Sequence, residues 1–125
     1  ASQHADYLRE NALRFMEDQL QRFGPGEIQA VYAHNDEMAL GAVQALEAAG
    51  RLDEVVVVGI DGQNSAFEAI AEGRLDASFV YPFVAPEGVQ IAYQIATGES
   101  VPSEVVLEGM RVDASNIDEM LGHGF

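Results

Sequence analysis

Residues 54–62 read Glu54-Val55-Val56-Val57-Val58-Gly59-Ile60-Asp61-Gly62. Valines run unbroken from 55 to 58, with no polar alternation. That pattern predicts a strand buried on both faces, which means a parallel sheet covered by helices. Upstream, Asp36 can cap a helix carrying Met38, Leu40, Ala42, Val43, Leu46 and Ala49, with Gly50 ending it. Before that helix, residues 28–33 read as a short buried strand. Leu8, Ala12, Phe15, Met16, Gln19, Leu20 and Phe23 recur at helical spacing within residues 4–23, and Gly24-Pro25-Gly26 stops that helix.

Downstream, Asn64 or Ser65 can cap a helix over 65–72, which Gly73 closes. A third strand spans 77–81. Pro86 suits the first turn of a helix over 86–97. A strand is expected over 104–112, and Ser115 can cap a last helix near 116–121. The alternation is αβαβαβαβα. It predicts an α/β fold: a doubly wound, mostly parallel sheet of about four to five strands with helices on both faces. Residues 1–125 read as one lobe. Because the chain opens on a helix where a doubly wound unit opens on a strand, it is expected to be a fragment.

The 125 residues hold 21 acids and 6 bases, a formal net charge of −15. All six bases are arginine, and lysine and cysteine are absent. Without lysine there is no P-loop clamp and no Schiff-base chemistry. Without cysteine there is no thiol nucleophile, thiolate zinc site or disulfide. The charge argues against nucleic acid, which needs clustered cations, and against an anionic membrane surface. Neither Gly-x-Ser-x-Gly nor Gly-x-Gly-x-x-Gly occurs. His4, His34 and His123 have no metal-ligand spacing, so no metal is expected. No cofactor and no catalysis are expected either. His123 stands in a glycine-flanked tail that reads as mobile.

Ligands of open α/β sheets bind beyond the carboxyl ends of the strands. There the chain places His34-Asn35-Asp36 after the first strand and Asp61-Gly62-Gln63-Asn64 after the second. Tyr81 follows the third. An amide, a carboxylate and an aromatic ring suit a polyol, whose hydroxyls need paired partners and whose C–H faces need a flat apolar surface. Asn35 and Asp61 can equally be turn or capping residues, and spacing leaves both readings open. Tyr81 alone reads more readily as packing. Asp36 reads as the helix cap. His34 and Gln63 read as supporting residues beside the site.

Residues 33–42, Ala-His-Asn-Asp-Glu-Met-Ala-Leu-Gly-Ala, resemble the "NDxMAxGA" segment of the ribose-binding-protein-like family of periplasmic sugar-binding proteins. Val56-Val57-Val58-Gly59-Ile60-Asp61-Gly62 is similar to that family's "VVGxDG". Residues 69–78 are similar to its "aIxxGxlxAt", and Gly98-Glu99-Ser100-Val101-Pro102 to its "GexvP". The resemblance implies one flavodoxin-like lobe, the C-terminal one, of a two-lobed type I periplasmic binding protein. Such proteins close on a monosaccharide and deliver it to the membrane subunits of an ABC importer. It further implies a periplasmic or lipid-anchored extracellular protein whose signal peptide and N-terminal lobe are absent from this chain. Residues 83–103 would belong to the other lobe. Asn35 and Asp61 match sugar-hydroxyl ligands, and Ile60 matches a position that packs on the ring. Tyr81 falls where many members carry glutamine. LacI-type regulators share the fold, so an effector-binding lobe is the alternative. They usually carry "PxLTT" where this chain reads Gly73-Arg74-Leu75-Asp76-Ala77-Ser78. A second alternative is a fragment that self-associates as a homodimer through bare apolar surface.

Overall fold

The computed structural model describes residues 1–82 and 84–125. Helix α1 (Arg9–Arg22) leads to strand β1 (Ala30–Tyr32), helix α2 (Asp36–Ala48) and strand β2 (Val56–Asp61). Helix α3 (Asn64–Ala71), strand β3 (Ala77–Val80), helix α4 (Ala85–Ala96), strand β4 (Met110–Asp113) and helix α5 (Ile117–Met120) follow. The expected alternation holds throughout. The sheet has the order β1-β2-β3-β4. Its first three strands are parallel and β4 is antiparallel to β3. The α/β class and the mostly parallel four-stranded sheet are therefore as expected.

Several boundaries differ, each for a local reason. Helix α1 starts at Arg9 rather than residue 4, because Asp6 and Tyr7 sit at φ 51° and 61°, where a right-handed helix cannot continue. The strand expected over 104–112 is confined to Met110–Asp113, the stretch that finds β3 as a partner. The last helix is entered through Asn116, not Ser115, whose hydroxyl instead bonds the Asp113 carboxylate. Residues 123–125, expected to be mobile, are tied down. The Asn64 amide donates to the Phe125 carbonyl, and the Gly124 amide donates to Asn64 Oδ1.

The core lies on one face of the sheet. In register across it stand Gly59, Ser78 and Val112, all buried, with Val57 two residues along β2. Leu46 and Val43 of α2 and Phe67 of α3 fill the layer above. Each such side chain contributes about 1.5–3 kcal/mol by leaving water. Helices α1, α2, α3 and α5 touch in series, forming that single layer. Arg51 ties the end of α1 into it, donating to the Phe23 and Gly24 carbonyls at 2.8 and 2.7 Å.

The other face departs from expectation. Tyr32, Val56 and Phe79 point away from the helix layer and are exposed, Val56 by 51%. Strand β2 therefore alternates in burial instead of being covered on both sides. Its valine run marks a strand that has apolar side chains for two layers, of which the described residues supply one. Helix α4 buries none of its residues. Residue 83, the first of the segment 83–103, lies outside the described residues.

Candidate functional site at the carboxyl ends of the parallel strands

Strands β1, β2 and β3 end at one edge of the sheet, and the chain leaves each through a short polar loop. Asn35 follows β1 as the residue before α2. Its Oδ1 accepts from the Met38 amide at 2.8 Å, so Asn35 is the helix cap. That corrects the expectation for Asp36, which begins the helix proper and has another task. Asn35 Nδ2 donates to the Tyr7 carbonyl at 3.1 Å. An amide nitrogen has two protons, so one donor remains for a ligand.

Asp36 is fully buried. Its Oδ2 accepts from the amides of Gly62 and Gln63, both at 2.9 Å, and its Oδ1 accepts from Ser78 Oγ at 2.7 Å. Burial pushes the Asp36 carboxyl above its ordinary range, more than these bonds pull it down, and the nearby charge of Asp61 adds to the rise. Gly59 makes room for the group, since a Cβ there would stand 2.3 Å from Asp36 Oδ1.

Asp61 ends β2 with φ 129°, a conformation that costs a non-glycine residue about 1–3 kcal/mol. Gly62, at φ 91°, lets the loop turn immediately. Partial burial raises the Asp61 carboxyl, while the nearby Asp36 backbone amide lowers it. The carboxylate thus lies near the N-terminus of α2, where the helix dipole favours negative charge. The Asp61 carbonyl accepts from the Tyr81 amide at 3.0 Å. Tyr81 is thus tied to Asp61 through the backbone, with its side chain exposed.

The other expected residues fall differently. Ile60 pairs with Phe79 on the bare face of the sheet, one residue out of phase with Asp61. His34 is exposed and packs edge-on against Tyr32, their rings 5.1 Å apart. Gln63 precedes α3 but makes no side-chain cap. Its amide is held by Asp36, and its Oε1 accepts from Ser65 Oγ at 3.4 Å. Among the described residues, no group of three or more His, Asp or Glu side chains could hold a metal ion.

One residue that the sequence did not single out is Tyr7. It is 70% exposed, sits at φ 61°, and its carbonyl is bonded to Asn35. The Tyr7 backbone is thereby held against the Asn35 amide. It comes from 28 positions upstream, and no spacing rule connects the two. The arrangement can accept and donate hydrogen bonds to hydroxyls through Asp61 and Asn35.

Residues 1–100 match the family described as "Periplasmic binding protein domain". The chain belongs to this periplasmic binding protein family. It is 40% identical over 106 residues to the ribose import binding protein RbsB of Salmonella typhimurium, covering 83% of this chain and 35% of that one. An ABC transporter solute binding protein of Bacillus halodurans with bound myo-inositol superposes with a TM-score of 0.83 at 40% identity, covering 94% of this chain and 40% of that one. One from Actinobacillus succinogenes with bound D-allose gives 0.88 at 28% identity, covering 95% and 42%. The chain thus spans about a third of the length of the curated relative it matches. By name these relatives are an import binding protein and ABC transporter solute binding proteins.

Proposed function

We propose that this chain is the C-terminal lobe of a periplasmic or lipid-anchored sugar-binding protein that serves an ABC importer. The observation that carries the reading is the partly buried Asp61 carboxylate near the N-terminus of α2, the helix that Asn35 caps. A partly buried carboxylate together with an amide that keeps one donor proton suits the paired hydroxyls of a monosaccharide or related polyol. Tyr81 and Tyr7 offer the apolar wall, with Ile60 as a further candidate for ring packing. Relatives bind ligands of this chemistry: ribose by name, and myo-inositol and D-allose in crystals.

The remaining surface fits a lobe that needs its counterpart. The sheet has a bare face, and α4 buries nothing. In this reading residues 83–103 pack on the N-terminal lobe, and the ligand is enclosed only when both lobes are present. Small-molecule sites bury about 70–90% of their ligand, which one open edge cannot do. Calorimetry with D-ribose, D-allose, D-fructose and myo-inositol tests this. The two-lobed protein should bind at least one sugar at micromolar affinity or better, and Asp61→Ala should weaken it by about a hundredfold, the cost of charge-assisted bonds lost in a closed site. The isolated chain should bind weakly. Tight binding by the isolated chain, or an indifferent Asp61→Ala, would overturn the reading.

A further inference from the structure

We propose that Asp36 is the positioning residue of the site: its buried carboxylate fixes the backbone that aims Asp61, without itself meeting the ligand. Four contacts argue for this. Asp36 Oδ2 receives the two amides that directly follow Asp61, those of Gly62 and Gln63. Asp36 Oδ1 receives Ser78 Oγ, and Ser78 Oγ in turn accepts from the Gly62 amide at 3.2 Å. The backbone amide of Asp36 lies near enough to the Asp61 carboxylate to lower it. Asp36 therefore grips the peptide that directly follows Asp61, beside the Asp61 carboxylate.

The grip matters because Asp61 has an unfavourable φ of 129°. Left alone, the residue would relax toward the ordinary extended region and swing its carboxylate away from α2. A neutral cap would satisfy the helix terminus as well as Asp36 does, and Asn35 already caps it. A buried charge is costly unless amides and hydroxyls surround it. Here they do: two backbone amides, a serine hydroxyl, and the space left by Gly59. Asp36, Ser78 and Gly62 are all buried, so the carboxylate itself does not open toward solvent, and Gln63 is half-buried. The carboxylate is thus built into the support of the loop.

The test compares Asp36→Asn, which keeps the shape and one acceptor, with Asp36→Ala, which keeps neither, in the 125-residue chain and in the two-lobed protein. Hydrogen exchange is read at the Gly62 and Gln63 amides, with Val57 and Val112 as core references. The Asp61 carboxyl is titrated by NMR. Asp36→Ala should speed exchange at Gly62 and Gln63 by about tenfold or more relative to the references. It should also shift the Asp61 titration, and Asp36→Asn should partly restore both. Unchanged exchange and an unchanged Asp61 titration in a folded variant would overturn the proposal. If Asp36→Ala does not fold, Asp36→Asn and Ser78→Ala carry the same comparison.

The consequence for ligand rests on the sugar-binding reading above. Asp36→Ala and Asp61→Ala should then weaken sugar binding to a similar extent, and the double variant should lose little more than either alone. Additive losses would overturn the proposal. Failure of every sugar to bind the wild-type protein would overturn the functional reading, while the exchange and titration results would still decide the role of Asp36.

Discussion

At the scale of single residues, the chemistry is concentrated in two adjacent carboxyls with different surroundings. Asp36 is raised above its ordinary value of 3.8 by burial, and Asp61 is raised in the same direction. For each, the folded protein holds a proton more tightly than the unfolded chain does. Stability contributed this way is present below the unfolded value and is lost as pH rises through the folded one. Asp36→Asn removes the Asp36 share. Urea unfolding between about pH 3.5 and 7 should show the variant gaining on the wild type as pH rises. A gain that instead grows toward acid would show that the three hydrogen bonds outweigh burial. Asn35 and Asp61 were legible as candidates only, because spacing leaves ligand and turn or capping roles open for both. The exchange of roles between Asn35 and Asp36 was not, because both residue types cap helices equally well. Only the position of the Gly62 and Gln63 amides separates them.

At the scale of elements, the crossing of α1 and α2 depends on a close approach. A Cβ at Gly41 would meet the Arg9 carbonyl at 2.3 Å and the Leu13 amide nitrogen at 3.1 Å. Both obstacles are backbone, so neither can rotate aside. Gly41→Ala should lower stability by about 1–3 kcal/mol or more, read as a drop in denaturant midpoint at constant slope. Helix α4 behaves in the opposite way. Its 12 residues have no buried partner, and helices of that length are marginal in water without packing. Its amides should exchange far faster than those of α2 in the isolated chain, and Tyr93→Ser should change stability by less than about 0.5 kcal/mol. Strong protection of α4 would contradict this. Periodicity found every helix and strand in order. It misplaced the start of α1 and the extent of β4, since a left-handed pair at residues 6–7 and the choice of β3 as partner are not periodic signals.

At the scale of the whole molecule, a bare apolar sheet face coexists with a net charge of −15. The first favours association, and the second opposes it by repulsion that salt screens. Sedimentation of the isolated chain should therefore show association that rises with concentration and with salt. Tyr32→Lys, placing a charge on the open β1 edge, should reduce it. A monomer under all these conditions would show that the face is indifferent to partners.

The sequence by itself determined the α/β class, the order of elements, the family and the strand ends where polar groups gather. These follow from local patterns: runs of β-branched residues, helical spacing, and turn residues between them. Tertiary structure decided what those residues do. It turned Asp36 from a cap into a buried anchor, tied the Tyr7 backbone to Asn35 and left one face of the sheet uncovered. Each depends on contacts between segments distant in the chain, whose hydrogen bonds and burial no local spacing encodes.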